Sequence, residues 1–140
     1  MKKTVAALMG LALGLAGVVH AQEPMTEQSV RTSLAEQGYT SVNDVEFEGG
    51  LWKADARSAD GNRLEVRIDP ATGKLYPSTA VATLGAEDIQ ARLDGAGYTR
   101  VRDVEFDNGL WSAEAVDPQG NKVELKLDPE TGAVIGSERD

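Results

Sequence analysis

The sequence predicts an α+β fold made of two tandem repeats, each with one helix packed on a four-stranded antiparallel β-meander. The first observation behind this prediction is internal repetition. Every residue from Gly38 to Gly73 has a counterpart 59 positions later, and 20 of these 36 pairs are identical. The second observation is a change of pattern within each copy. Apolar residues first recur at helical spacing, and then alternate with polar residues in short segments separated by turn residues. Self-similarity at one fixed period is typical of two copies of one supersecondary unit.

The amino terminus is predicted to be a secretory signal peptide. It begins with Lys2 and Lys3, continues with a mainly apolar run over 5–19, and offers a cleavage site after Ala21. The run is shorter than the roughly 20 residues of a comfortable transmembrane helix, which disfavours an uncleaved anchor. We therefore expect a periplasmic or secreted protein with no membrane span after cleavage. The predicted organisation is signal peptide 1–21, first repeat 22–76, connector 77–85 and second repeat 86–140.

The composition argues against an enzyme. The chain has no cysteine, and its only histidine, His20, lies within the predicted signal peptide. Nucleophilic sites that depend on histidine, and zinc sites built on histidine or cysteine, are therefore not expected after cleavage. Asp60-Gly61-Asn62 and the segment 117–121 carry oxygens at turns, but neither has the ligand spacing of a calcium loop. We predict no catalytic residue, no cofactor and no metal site.

The charge of the chain restricts its partners. The formal net charge is −9, and loss of Lys2 and Lys3 on cleavage would make it −11. Such a surface repels nucleic acid and anionic lipid, so neither is expected as a partner. It favours a basic protein or cations, although acidity also serves simply to keep an exported protein soluble.

Each repeat is predicted to begin with a short helix. In the first repeat Thr26 is a suitable N-cap, Val30 and Leu34 share one face, and Gly38 supplies the left-handed residue that ends the helix. The second repeat has the same signals, with an apolar stripe closed by a glycine: Ala86, Ile89, Leu93, Ala96 and Gly97.

Four short strands are predicted to follow each helix. Val45 and Phe47 alternate with acidic residues, and Gly49-Gly50 forms a tight hairpin turn that returns as Asn108-Gly109. An Asp-Pro-x-Thr-Gly turn ends the third strand of each repeat. The last strands are predicted to be short, over 74–76 and 133–135.

The alternation assigns the residues of the first repeat to two faces of its sheet. The helix is expected to cover one face: Phe47, Trp52, Ala54, Val66 and Ile68. The other face mixes charges and is expected to carry cross-strand ion pairs: Glu46, Lys53, Asp55, Glu65 and Arg67.

The aromatic residues and the connector leave alternatives open. Trp52 and Trp111 are either core residues, the favoured interpretation, or binding anchors. In the connector, Val81 and Leu84 are expected to pack between the two lobes. Tyr76 is the one aromatic without an aromatic counterpart, and it is expected to contact the other lobe or a partner.

These residues carry a family resemblance. A helix ending in Gly-Tyr, then Asp-Val-Glu-Phe, Gly-Leu-Trp-x-Ala-x-Ala and a strand ending in Asp-Pro-x-Thr-Gly, is similar to the PepSY domain over 26–76 and 86–135. The resemblance implies a small exported module that occurs alone, in tandem, or in propeptides of thermolysin-type metallopeptidases. It also implies an inhibitory or chaperoning role towards peptidases. The layout has a looser, fold-level similarity to the beta-lactamase inhibitor protein.

Two functions of different class follow from the sequence. The favoured one is a non-catalytic exported binding module that modulates or inhibits a peptidase or another exported protein. The alternative is a structural or sensory envelope protein that self-associates, for example as a homodimer, or binds cations through its acidic surface. An enzyme that uses carboxylates alone is the least favoured class. The residues expected to contact a partner are Tyr76, Lys53, Arg67, Glu65 and Asn108.

Overall fold

The computed structural model describes residues 24–140, so the predicted signal peptide lies outside the described residues. Within this range two helices and eight strands alternate as one helix followed by four strands, twice over, which confirms the predicted fold class. The helices are α1 (Glu27–Glu36) and α2 (Ala86–Gly95). The strands are β1 (Thr40–Glu48), β2 (Leu51–Arg57), β3 (Arg63–Ile68), β4 (Leu75–Pro77), β5 (Thr99–Asp107), β6 (Leu110–Val116), β7 (Lys122–Leu127) and β8 (Val134–Arg139).

The strands form two separate four-stranded antiparallel sheets. Their orders are β1-β2-β3-β4 and β5-β6-β7-β8, so each sheet is a simple meander. We call α1 with β1–β4 the first lobe and α2 with β5–β8 the second lobe. The register is repeated as well, because Lys53 opposes Arg67 in the first sheet and Ser112 opposes Lys126 in the second.

The two helices begin with different caps. The Thr26 hydroxyl accepts a hydrogen bond from the Ser29 amide, and the Thr26 amide donates to the Ser29 hydroxyl at 2.7 Å. In α2 the cap residue is Gly85, and Asp88 accepts from its amide at 2.9 Å. The bonds are reciprocal in α1 and one-way in α2, and in both helices they satisfy amides that have no partner within the helix.

The first strand of each sheet is irregular in a way that two-residue alternation does not predict. The register shifts twice between Thr40 and Glu46, and again at the equivalent places in β5. Because of these bulges, Val42 and Val45, three residues apart, both pack on the core. The bulges place four non-glycine residues at positive φ: Ser41, Asp44, Arg100 and Asp103.

The last strands differ from their predicted bounds. In the first lobe β4 is Leu75–Pro77, which stays short because proline has no amide to continue a ladder. In the second lobe the prediction of a strand over 133–135 is wrong in length, since β8 runs from Val134 to Arg139. There Gly136 stands at the position of Pro77, and the pairing with β7 continues to Arg139.

Each lobe has its own apolar core between helix and sheet. Val30 and Leu34 fill the first core, and Ile89 and Leu93 the second. Trp111 is 7% exposed within the second core, whereas Trp52 is only partly buried beside the first. Phe47, which was expected under the helix, is 55% exposed, because it lies on the edge strand.

The connector packs differently from the prediction. Val81 is 77% exposed and does not lie between the lobes. Leu84 packs against the core of the second lobe, together with Ala82. The connector therefore covers part of the second core. It lies there because it leads directly into α2, which begins at Ala86.

Candidate functional site

The two lobes meet through a small apolar cluster, which we call the junction. It consists of Leu51, Tyr76 and Leu110, all buried, with Ile135 packed against them. Leu51 and Leu110 are counterparts in the repeat, and so are Tyr76 and Ile135. Each lobe thus contributes the same two positions. This is the arrangement of an isologous two-fold interface, formed here within one chain.

Glycines allow the close approach at the junction. A Cβ placed on Gly50 would lie 2.8 Å from the backbone nitrogen of Ser137, in the last strand of the other lobe. A Cβ on the counterpart, Gly109, would collide with the backbone carbonyl of Pro77. The turn of each first hairpin therefore packs on the last strand of the opposite lobe, and only glycine fits there.

One polar linkage crosses the junction beside the apolar cluster. The Tyr76 hydroxyl donates to Oδ2 of Asp128 at 2.8 Å, and Nζ of Lys74 donates to the same oxygen at 2.9 Å. Burial would by itself raise the pKa of Asp128, but the bonds from Lys74, the Glu130 amide and Tyr76 lower it to about 2. Burial and the bond to Asp128 raise the pKa of Tyr76.

The linkage exists on one side of the pseudo-two-fold only. The counterpart of Asp128 is Asp69, which is also buried. The residues that would complete its linkage, at the positions of Lys74 and Tyr76, are Ala133 and Ile135. The sequence indicates Tyr76 as a contact residue because it is an unmatched aromatic, but it does not indicate Asp128. Asp128 begins an Asp-Pro-x-Thr-Gly turn, and the turn alone explains an aspartate at this position.

The polar face of the first sheet carries ion pairs, of which those of Lys53 cross from β2 to β1 as predicted, whereas that of Arg67 lies within β3. Lys53 contacts Glu46 at 2.9 Å and Glu48 at 2.8 Å, and Arg67 contacts Glu65 at 2.9 Å. The hydrogen bond from Lys53 lowers the pKa of Glu48, and the bonds to Glu48 and Glu46 raise the pKa of Lys53. Three of the predicted contact residues, Lys53, Glu65 and Arg67, therefore lie together on this face.

The polar face of the second sheet is more acidic. Glu114 opposes Glu124, and Glu124 opposes Glu138, so three carboxylates follow one another across β6, β7 and β8. We call these three residues the carboxylate row. Arg102 contacts Glu114 at 3.2 Å and Lys126 contacts Glu124 at 2.9 Å, while Glu138 has no ion pair among residues 24–140. Like charges directly opposite in a sheet are destabilising, so this row costs stability.

The polar faces of the two sheets meet at the junction. A cavity of about 80 Å³ is lined by residues of both lobes: Glu48, Gly49, Leu51, Arg67, Glu124, Lys126 and Glu138. Arg67 of the first sheet thus shares a cavity with Lys126 and two carboxylates of the second. We call the two polar faces together the joint face.

The remaining predicted contact residues lie near the junction without lining this cavity. Tyr76 is 3% exposed and packs between the lobes, so a partner could reach it only if the lobes separated. Asn108 is exposed at the β5–β6 turn, with φ of 52°, directly before the glycine that packs on Pro77. The carboxylate row is a further feature that the sequence did not predict. Alternation within one strand does not show which residues face each other on neighbouring strands.

Within the part of the chain that the structure describes, no group of three or more histidine, cysteine or acidic side chains is arranged to hold a metal ion. Among residues 24–140, neither helix is long and apolar enough to cross a membrane.

Comparison with known proteins gives one result. The family model described as "Peptidase propeptide and YPEB domain" matches residues 3–79 and again residues 81–138. The two matches follow the two repeats and together cover most of the chain. No match was found among curated proteins or among solved structures.

Proposed function

This chain belongs to the PepSY family of peptidase propeptide and YPEB domains, and on that premise we propose that it is a non-catalytic, exported binding module that modulates or inhibits a peptidase. The family description supports a propeptide-like module. The basic start of the chain and the apolar run over 5–19 support export. The absence of histidine and cysteine after the predicted cleavage site supports binding without catalysis.

The joint face is the observation that carries this proposal. Ordinary antiparallel sheets keep one face on a core and the other in water. Here the two wet faces share a cavity at the junction, so a partner can contact both sheets at once. Lys53 and Arg67 contribute cations to the joint face, and each is already held by a neighbouring carboxylate. Side chains held in this way lose little freedom when a partner binds.

The charge of the joint face indicates the chemistry of the partner. The carboxylate row places three acidic side chains side by side, and the whole chain has a net charge of −9. A basic surface on the partner would relieve the repulsion within the row and would be attracted from a distance. We therefore propose that the bound surface of the peptidase is basic.

Affinity capture tests the proposal. The tagged chain from Gln22 to Asp140 is incubated with native exported extract, and the retained proteins are identified by mass spectrometry. Each retained peptidase is then assayed with and without an equimolar amount of the protein. We expect a peptidase to be retained reproducibly and its rate of hydrolysis to change.

Two double variants with equal charge change locate the contact. Glu124→Lys with Glu138→Lys reverses two charges of the carboxylate row on the joint face, whereas Glu36→Lys with Asp94→Lys makes the same charge change on the helices. We expect only the first pair to release the peptidase. Retention of no protein except a second copy of this chain would contradict the proposal and favour self-association.

A further inference from the structure

The connector carries the most exposed of the large apolar side chains in residues 24–140. Val81 is 77% exposed, more than either Phe47 or Val134. Those two residues lie in strands, where each is paired with a residue of the neighbouring strand. Val81 lies outside every helix and strand of the described chain. Single exposed apolar residues are ordinary, so the meaning of this one depends on how its segment is held.

The backbone around Val81 has the pattern of an extended chain. From residue 79 to residue 84, exposed and partly buried positions alternate. The exposed ones are Thr79, Val81 and Thr83, and the partly buried ones are Ala80, Ala82 and Leu84. A period of two is typical of extended chain. Because Ala82 and Leu84 pack on the second core, the Val81 side chain points to solvent.

Hydrogen bonds hold this extended segment at both ends. Upstream, the Ser78 amide donates to the Glu65 carbonyl at 2.8 Å, and the Glu65 amide donates to the Ser78 hydroxyl at 3.3 Å. Downstream, the amides of Thr83 and Leu84 donate to the Pro129 carbonyl at 3.2 and 3.3 Å. The upstream end is therefore attached to the first lobe and the downstream end to the second.

Between these attachments the polar groups of the backbone are open to a partner. Among residues 24–140, neither the amide nor the carbonyl of Val81 takes part in a backbone hydrogen bond, and the same is true of Ala82. An added strand could therefore bond to this segment without breaking a bond within the described part of the chain.

The composition of the segment suits a narrow binding cleft. In a chain of which 26% is charged, residues 75–86 contain no charged side chain. From Ser78 to Thr83 no side chain is larger than valine. A partner that encloses this segment therefore buries no charge, which would be costly, and meets no bulky side chain beside Val81.

We propose that residues 79–82 enter the substrate cleft of the peptidase that this protein binds, with the Val81 side chain in the peptidase's primary specificity pocket. Extended segments add main-chain hydrogen bonds to a partner's strand, while pockets of the partner take alternate side chains. The segment supplies both the unpaired backbone and one outward aliphatic side chain. The pocket that fits it is small and apolar. This proposal rests on the proposed function and names the part of the peptidase that is bound.

The attachment of the segment favours tight binding. Because it is held at both ends, it loses less conformational freedom on binding than a flexible peptide of the same sequence. It also begins at the edge of the joint face, since Ser78 is bonded to the backbone of Glu65 in β3. A peptidase on the joint face and a cleft on the connector are thus compatible with one bound molecule.

The junction makes the segment an inhibitor instead of a substrate that is released. Hydrolysis of the bond between Val81 and Ala82 would add one water and leave a carboxylate on Val81 and an amine on Ala82. The two parts would stay together, because Tyr76 before the cut is bonded to Asp128 after it and the apolar junction joins the lobes. A cut chain whose ends stay in place continues to fill the cleft.

Two peptidases with different pockets serve as probes. Elastase has a small primary pocket, and trypsin has one that contains an aspartate. Each is assayed on a small chromogenic substrate with increasing amounts of the chain from Gln22 to Asp140. We expect competitive inhibition of elastase and none of trypsin, because residues 75–86 contain no lysine or arginine. Val81→Arg should weaken inhibition of elastase at least about tenfold and create inhibition of trypsin.

The matched control is Val134→Arg, the same substitution at the other exposed valine. It should leave inhibition of elastase unchanged and create none of trypsin. Because both valines are exposed, both variants should keep the fold, which circular dichroism checks. The proposal is overturned if the unaltered chain does not inhibit elastase, if Val81→Arg inhibits it equally well, or if both arginine variants inhibit trypsin.

The peptidase retained in affinity capture separates this proposal from the proposed function. If Glu124→Lys with Glu138→Lys releases that peptidase, whereas the Val81→Arg protein retains and inhibits it fully, the joint face binds it and the connector proposal is wrong. If Val81→Arg abolishes inhibition but not retention, the connector occupies the cleft while the joint face holds the peptidase.

Discussion

The hydroxyl of Tyr76 in the first lobe donates a hydrogen bond of 2.8 Å to the Asp128 carboxylate in the second lobe. This bond and the Lys74–Asp128 ion pair join two lobes whose apolar contact is only a four-residue cluster. Since both bonds end on one carboxylate oxygen, the relative position of the two sheets depends strongly on Asp128. The joint face exists only while the lobes keep this arrangement.

Removal of the Tyr76 hydroxyl tests the linkage. Tyr76→Phe keeps the ring in the junction and deletes the bond to Asp128, which should lower the free energy of unfolding by about 1 to 2 kcal/mol. Urea denaturation measures this change. Tyr98→Phe is the control, because that ring packs on the second core away from the junction, and it should cost less than about 0.5 kcal/mol.

Stability should fall in acid because of Asp128. Its pKa in the folded state is about 2, below the ordinary value of 3.8, so its contribution is fully present above pH 4. The contribution is lost as the pH falls from about 4 towards 2, and it amounts to roughly 2 kcal/mol. Thermal melts from pH 2 to pH 6 measure it.

The matched variants for this prediction are Asp128→Asn and Asp69→Asn. Asp128→Asn should remove most of the fall in melting temperature between pH 4 and pH 2. Asp69→Asn changes the repeat counterpart, which lacks the cross-lobe partners, and should leave that fall unchanged. A fall of the same size in Asp128→Asn would show that other carboxylates cause it.

Glycine at the hairpin turn should be essential for docking of the lobes. Gly109→Ala and Gly120→Ala both force alanine into positive φ, at 81° and 90°. Only at Gly109 does the new methyl group collide with the other lobe, at Pro77; at Gly120 it meets open space. Small-angle scattering should show an increased radius of gyration for Gly109→Ala alone. Equal profiles for the two variants would mean that the lobes do not dock through this turn.

The two edge phenylalanines should differ in their contribution to stability. Phe106→Ala removes a side chain from a covered core and should cost about 2 kcal/mol or more. Phe47→Ala removes one that is largely exposed and should cost less than about 1 kcal/mol. Denaturation of the two variants under one set of conditions gives the comparison. A larger loss for Phe47 would mean that this side chain is covered in the folded protein.

Local features of the fold were readable from the sequence because they depend on local chemistry. Thr26 as an N-cap and the alternation of Trp52, Ala54 and Ala56 need only neighbours in the chain. The bulges in β1 escaped prediction because the positive φ of Ser41 and Asp44 accompanies shifts in the pairing with β2, which alternation within one strand does not reveal. The extra length of β8 also escaped, although the sequence difference that permits it, Gly136 at the position of Pro77, is visible in the repeat.

The sequence by itself determined the repeat, the α+β fold and the polar face with Lys53, Glu65 and Arg67, since these follow from periodicity and turn residues. Only the tertiary structure decided how the lobes meet. The Tyr76–Asp128 bond joins residues 52 positions apart, and the carboxylate row depends on register across three strands. It also decided that the connector packs on the core of the second lobe, because only packing determines where an irregular segment lies.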